Sequence, residues 1–294
     1  MQNYSVLMSV YYKEKAEYLE LAIESMLNQT VPPEQFVIVE DGSLTDELEQ
    51  VVLKYENEKP DLFTVVRLDE NRGLGLALDE GMKHCRNELV ARMDSDDISI
   101  PERCEKELAV FEERPELDII SGAINEFKGS IDNVISIRKV PENEEEIKKQ
   151  MRRRSAFNHP AVMFKKSVVI RVGGYGDSTR KEDHDLFSRM VFSNCRTFNL
   201  QEPILYYRIN EDNIKRRKSW RNVSSYIQIM WINLKRGYCN LGDFAFVCVA
   251  QIAYLCVPTS IIEILVVKFY RDMPIEDSND GVKYENNVCY SKDE

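Results

Sequence analysis

The sequence predicts an α/β fold with a mainly parallel sheet and helices on both of its faces. Two observations carry this. Apolar runs of strand length alternate with segments of helical periodicity from Tyr4 to Met93. Two acidic turns, Glu40-Asp41-Gly42-Ser43 and Asp94-Ser95-Asp96-Asp97, close the second and fourth of those runs. In such sheets ligands bind outside the carboxyl ends of the strands, so both turns fall at the edge where a site is expected.

The elements follow in order. Tyr4–Val10 is a nearly continuous apolar run and reads as a buried strand. Glu17–Gln29 places Leu19, Ala22, Ile23, Met26 and Leu27 at helical spacing, and Pro32-Pro33 ends that element. Phe36–Val39 is the second strand. Ser43-Leu44-Thr45-Asp46 reads as a capping box opening a helix with Leu48, Val51, Val52 and Tyr55 on one face. Phe63–Leu68 is the third strand. Gly73–Cys85 is a helix carrying Leu74, Ala77, Leu78, Met82 and Cys85, and Leu89–Met93 is the fourth strand. The order is βαβαβαβ, which short right-handed crossovers turn into a parallel sheet.

The middle of the chain is less regular. Leu117 to Val140 is strand-rich, and Arg152–Pro160 is a basic, polar loop. Ala161–Phe164 is a short strand, and Gly173-Gly174-Tyr175-Gly176 is a turn. Lys181–Phe192 is a helix with Leu186, Phe187, Met190 and Val191 inward.

The C-terminal third changes character. Trp220, Val223, Ile227, Met230, Trp231 and Leu234 form an apolar stripe, flanked by Lys215–Lys218 and by Lys235-Arg236. Phe244–Val257 and Ile261–Phe269 are apolar and separated by Pro258. Each is shorter than the run of about 20 residues that spans a bilayer. Glu263 and Lys268 also argue against spanning. Interfacial helices with basic residues on anionic lipid heads are the expectation. Asp272–Glu294 is acidic, buries little, and reads as a disordered tail.

Composition limits the function. A chain of 294 residues can bury a sizeable core. Its net charge of -11 argues against general nucleic-acid binding, which needs a basic footprint. The 7 cysteines form no C-x-x-C pair, and with only 3 histidines there is no zinc pattern. A reducing, cytoplasmic setting fits. The N-terminus shows no basic segment followed by an apolar one, so no signal peptide is expected.

Several residues then stand out for their chemistry. Asp94, Asp96 and Asp97 crowd like charges at a strand tip, which calls for a counter-charge. Hard oxygen donors suit Mg²⁺ or Mn²⁺ and a phosphate-bearing substrate, and Asp96 is the expected metal ligand. The bland alternative is a solvated turn. Asp41 can accept the ring N–H of a uracil; its other reading, a cap on the next helix, is a role Ser43 fills. Asn71-Arg72-Gly73-Leu74-Gly75 is either a turn before a helix or a contact for a diphosphate or ribose. Glu182-Asp183 opens a helix, where acidic residues are ordinary dipole partners. That position also suits a carboxylate that accepts a proton. His159-Pro160 is either a turn or a substrate contact.

These pieces, in this order, resemble the inverting family 2 glycosyltransferases of the GT-A fold. The resemblance runs from Tyr4 to Arg208. It rests on Tyr11-Tyr12, Glu40-Asp41-Gly42-Ser43, Asn71–Ala77, Asp94-Ser95-Asp96-Asp97 with Pro101 and Arg103, and His159–Phe164. Gly173-Gly174-Tyr175, Glu182-Asp183 and Tyr207-Arg208 complete it. The resemblance implies a UDP-sugar donor bound by Val10, Tyr11, Asp41, Asn71, Gly73, Asp94 and Asp96. Asp41 would meet the uracil, Asp94 the ribose or sugar, and Asp96 the metal, Mn²⁺ or Mg²⁺. Asp183 would be the catalytic base. His159, Glu182 and Arg208 would contact acceptor or diphosphate.

The closest likeness is to bacterial enzymes that build capsule, exopolysaccharide or O-antigen. This implies a saccharide acceptor linked to undecaprenyl diphosphate, at the cytoplasmic face of the inner membrane. Residues 1–210 would form the catalytic domain, with a nucleotide-binding half to residue 100. Residues 211–271 would form a helical extension and 272–294 the tail. Two positions depart from the family pattern. Glu40 stands where Asp is frequent, and Ile209-Asn210 follows Tyr207-Arg208 where a His and a Ser are frequent. Positive charge over the diphosphate then falls to Arg208 or to Lys215–Lys218. Two other readings remain at this point: a phosphohydrolase with an aspartate nucleophile, and a non-catalytic membrane-associated scaffold of the same shape.

Overall fold

The structure, a computed structural model, describes residues 2–176, 181–210 and 218–257. Expectations for Lys215 to Arg217, for Ile261–Phe269 and for the tail lie outside the described residues.

Four parallel strands form one half of the sheet: β1 (Tyr4–Val10), β2 (Gln35–Glu40), β3 (Phe63–Arg67) and β4 (Leu89–Asp94). The order across this half is β3-β2-β1-β4, so β1 and β4, distant in sequence, are neighbours. Their register pairs Ser9 with Asp94, and β1 with β2 pairs Val10 with Glu40. Both acidic turns therefore leave the same edge.

The second half is mixed. Beyond β4 come β8 (Met163–Lys165), β6 (Ile119–Phe127), β9 (Thr197–Arg208) and the short β5 (Ile98–Ser99), with β7 (Val134–Arg138) paired to β6. β8 runs antiparallel to β4, and β6 runs parallel to β9. The strand-rich stretch from Leu117 to Val140 is thus β6 and β7.

Helices cover both faces. On one side lie α1 (Ala16–Leu27), α2 (Asp46–Glu58) and α4 (Arg103–Glu113), which bury Ile23, Val52 and Phe111 against Val6, Met8 and Met93. On the other lie α3 (Leu74–His84), α5 (Glu144–Met151), α6 (Lys166–Arg171) and α7 (Glu182–Phe192). These bury Leu78, Ile147 and Phe187 against Leu7, Val37 and Val90. β1, β2, β3, β4, β6 and β8 contribute to both cores because successive side chains point to opposite faces. One local expectation is corrected. Thr45, not Ser43, caps α2: the chain stays extended through Thr45, whose side chain accepts the Leu48 N–H (3.4 Å).

Two helices follow the sheet. α8 (Trp220–Lys235) buries Val223, Ile229 and Met230 and leaves Trp220 and Trp231 exposed. The predicted stripe is therefore split between packing and solvent. α9 (Leu241–Cys256) opens with a true capping box, Asn240 and Asp243, and exposes Leu241, Phe246, Val249 and Ile252. Among the described residues no helix is long and apolar enough to cross a membrane.

One buried ion pair ties the middle of the fold. Arg103 and Glu107 are both fully buried and bonded at 3.2 Å. Arg103 also donates to the carbonyls of Arg92 (2.8 Å) and Pro160 (2.9 Å), joining α4 to β4 and to the 3₁₀ turn His159–Ala161. Removing one partner of such a pair leaves an uncompensated buried charge. Arg103→Met is expected to cost about 3–5 kcal/mol in urea unfolding, and Arg103→Met/Glu107→Leu to recover most of it. Equal losses in both variants would show that the pair itself is not the source.

Candidate active site

A cavity of about 1090 Å³ opens along the carboxyl edge of the sheet. Tyr11, Asp41, Asn71, Gly73, Asp94, Asp96, His159, Glu182 and Asp183 all line it. Residues from six separate stretches of chain are thus brought to one space. Two expected site residues lie elsewhere. The Val10 side chain is in the core, and its carbonyl accepts the Asp41 N–H (2.8 Å). Arg208 is buried below the acidic turn and does not line the cavity.

The first acidic turn meets the loop before α3. Asp41 is buried, and its two carboxylate oxygens accept the backbone N–H groups of Arg72 (2.7 Å) and Gly73 (3.0 Å). Asn71 donates back to the Asp41 carbonyl (3.1 Å). Two amides of this loop, those of Arg72 and Gly73, are therefore already taken. Each Asp41 oxygen keeps a further acceptor position toward the cavity. Gly42 permits this approach. Its φ is +82°, and a Cβ there would stand 2.6 Å from the Asn71 nitrogen.

The second acidic turn carries three carboxylates, Asp94, Asp96 and Asp97, with an oxygen of each within 4.8 Å of the others. Burial, then the charges of Asp94 and Glu14, push Asp96 up to about 7. Asp97 is fully buried, and burial, then the charge of Asp96, raises it well above the usual carboxylate range. Two arginines answer these charges. Arg92, buried within β4, bonds Asp94 through Nη2. Arg208 holds the turn from beneath: its backbone N–H donates to Asp97 (2.8 Å) and its Nε to the Asp96 carbonyl (2.8 Å). Its guanidinium is sandwiched between Tyr18 and Phe127, at 3.9 and 4.7 Å. Arg208 thus positions the acidic turn from beneath and lies outside the cavity lining. The donor set of clustered oxygens fits a hard divalent cation.

Asp183 stands in the first turn of α7, beside Glu182, which burial and the Asp183 charge push up to about 7. Gly75 of α3 lies so close that a Cβ there would meet Glu182 Cβ at 2.9 Å. His159 bonds the Tyr175 hydroxyl (2.9 Å), and burial, with Arg92 nearby, keeps it neutral. It offers a polar wall and no positive charge.

The sequence reading missed several lining residues. Lys13, Glu14 and Arg92 neighbour its motifs, and Arg72 lies inside one without having been singled out. Arg92 had a readable signal, an arginine inside an otherwise buried strand. Asn222 and Tyr226 of α8, and Arg138, Lys139 and Arg154, had none, because nothing in their local pattern places them at this edge.

A Rossmann-like nucleotide half, an Asp-x-Asp turn at the tip of β4 and an acidic helix start in one cavity define a GT-A glycosyltransferase. The sequence pattern of the glycosyl transferase family 2 matches residues 5–173. The chain belongs to that family. It is 35% identical over 269 residues to an uncharacterized glycosyltransferase of Haemophilus influenzae, covering 92% of this chain and 99% of that one. It is 34% identical over 261 residues to the UDP-Gal:alpha-D-GlcNAc-diphosphoundecaprenol beta-1,3-galactosyltransferase of Escherichia coli, covering 88% and 93%. Among solved structures, Staphylococcus aureus TarS 1-349 with UDP-GlcNAc superposes with a TM-score of 0.63 at 17% identity, over 86% of this chain and 72% of that one. The Pyrobaculum calidifontis mannosyltransferase with GDP-Man and Mn²⁺ gives 0.61 at 16% identity, over 91% and 75%.

Gly42→Ala tests the junction of the two loops. A side chain at this positive φ, pressed on the Asn71 backbone, is expected to cost about 1–3 kcal/mol. Chemical denaturation measures it, and an unchanged midpoint would contradict the close approach.

Proposed function

We propose that the protein is an inverting hexosyltransferase. It moves a hexose from a UDP-sugar to a hydroxyl of a saccharide acceptor carried on a lipid diphosphate, in cell-surface polysaccharide synthesis. The single observation behind this reading is that Asp41, Asp94, Asp96 and Asp183 line one cavity. The Escherichia coli relative, whose named donor is UDP-Gal and whose named acceptor is a diphosphoundecaprenol, supports the substrate classes. Family membership favours sugar transfer over the phosphohydrolase and scaffold readings. The protein sits peripherally on the cytoplasmic face of the inner membrane in this reading, and the exposed apolar residues of α8 and α9 support the contact with a membrane surface.

The chemistry is a single displacement. Asp41 accepts the uracil ring N–H. Asp96 would hold Mg²⁺ or Mn²⁺, with Asp94 beside it against the ribose or donor sugar, and the cation would supply positive charge to the diphosphate leaving group. Asp183 takes the proton of the acceptor hydroxyl, whose oxygen attacks the anomeric carbon from the face opposite UDP. The bond from that carbon to the diphosphate oxygen breaks with its electron pair on oxygen. An α-linked donor becomes a β-glycoside.

Calorimetric titration of UDP with and without Mn²⁺ tests the donor site. Binding is expected to need the metal and to be lost in Asp96→Ala; metal-independent binding in both proteins would overturn the assignment. The sign of the pH effect follows from Asp96, whose proton competes with the metal below about 7. Mn²⁺ affinity is expected to fall as pH drops through that value, and a flat profile from pH 6 to 8 would contradict it. Asp183→Asn is expected to bind UDP normally and to lower transfer by about 10²–10⁴-fold. Normal transfer by that variant would remove Asp183 as the base.

A further inference from the structure

Apart from Arg92 and Arg138 within strands and Lys181 before α7, the cations that line the cavity fall in two groups. Lys13 and Arg72 stand on the side of Asp41, after β1 and before α3. Lys139 and Arg154 stand after β7 and α5. In the order of the sheet, the tip of β4 with Asp94 and Asp96 separates the two groups. A nucleotide diphosphate at the first group leaves the second without a role in the donor. An inverting displacement brings the acceptor from the face opposite the diphosphate, so the second group belongs to the acceptor.

The surroundings of Arg154 say what kind of acceptor. Tyr226 of α8 packs on His184, next to Asp183, with ring centroids 5.7 Å apart. Its hydroxyl donates to the Arg153 carbonyl (2.9 Å), so one tyrosine links the base to the Arg152-Arg153-Arg154 turn. Arg153 then bonds Asp243 of α9 (2.6 Å) and lies 4.7 Å from the Phe246 ring. Phe246, Val249 and Ile252 continue as an exposed apolar row along α9. The succession is a base, a cationic wall and an apolar surface. That matches an amphiphile whose sugar hydroxyl, anionic linker and hydrocarbon chain come in the same order. A neutral free saccharide would need neither the cations nor the apolar row.

We propose that Lys139 and Arg154 bind the diphosphate of a polyprenyl-linked acceptor, with its hydrocarbon chain leaving along α9. This rests on the glycosyltransferase reading above and adds the subsite.

The test uses the full-length protein in mild detergent, saturated with UDP and excess Mn²⁺. Farnesyl diphosphate, inorganic pyrophosphate and farnesol are titrated separately. Farnesyl diphosphate is expected to bind, pyrophosphate to bind more weakly, and farnesol not to bind. Pyrophosphate binding as tightly as farnesyl diphosphate would restrict the site to a free anion and overturn the lipid part. Arg154→Ala and Lys139→Ala change exposed side chains, so the fold is retained. Each is expected to weaken farnesyl diphosphate by about tenfold or more, the loss of a charge-assisted contact, while UDP affinity stays within twofold. Unchanged farnesyl diphosphate affinity in both variants, or binding only by displacement of UDP, would overturn the subsite. Failure of UDP to bind would sink the donor reading instead, and the variants are then compared on the nucleotide-free protein.

Discussion

Repulsion among the carboxylates at the tip of β4 is the constraint around which the catalytic half is built. Asp94, Asp96 and Asp97 lie within a few ångströms of one another, partly shielded from water. Such a turn is unstable without opposing charge. Arg92 supplies it from inside the strand and Arg208 from the end of β9. Arg103 adds a third link, bonding the Arg92 carbonyl and so holding the strand that carries the turn. These contacts fix where the carboxylates point, which a metal site requires more than it requires their charge alone.

The same arrangement connects stability to chemistry. β9 pairs with β6 and also delivers Arg208 beneath the acidic turn, so the mixed half of the sheet supports a site built on the parallel half. α3 closes on α7 at Gly75, which sets Glu182 and Asp183 against the nucleotide half. α8 is held to α7 by Asn233, which donates to Ser188 (3.1 Å), and by Arg236, which bonds Asp185 (2.6 Å). The helix beyond the family pattern thereby becomes a wall of the cavity and not an appendage.

Much of this was legible in the chain. Strand and helix order followed from period, because burial on both faces of a parallel sheet leaves continuous apolar runs. Asp41, Asp94, Asp96 and Asp183 stood out because carboxylates at strand tips and at a helix start break the pattern around them. The capping of α2 was misplaced by two residues, since Ser43 and Thr45 both carry a capping side chain and only the backbone path chooses between them. The loop at Asn71 was also ambiguous: its amides satisfy Asp41, thirty residues away, and no local signal records such a bond.

The sequence by itself determined the fold class, the identity of the acidic turns and the chemistry they suit, because periodicity and residue type are local properties. Tertiary structure alone decided that Arg208 supports the acidic turn, that Val10 turns into the core, and that Tyr226 and Arg154 face the same cavity as Asp183. Those outcomes depend on which distant elements pack together. A side chain's partners across forty or a hundred residues are set by that packing and not by its neighbours in the chain.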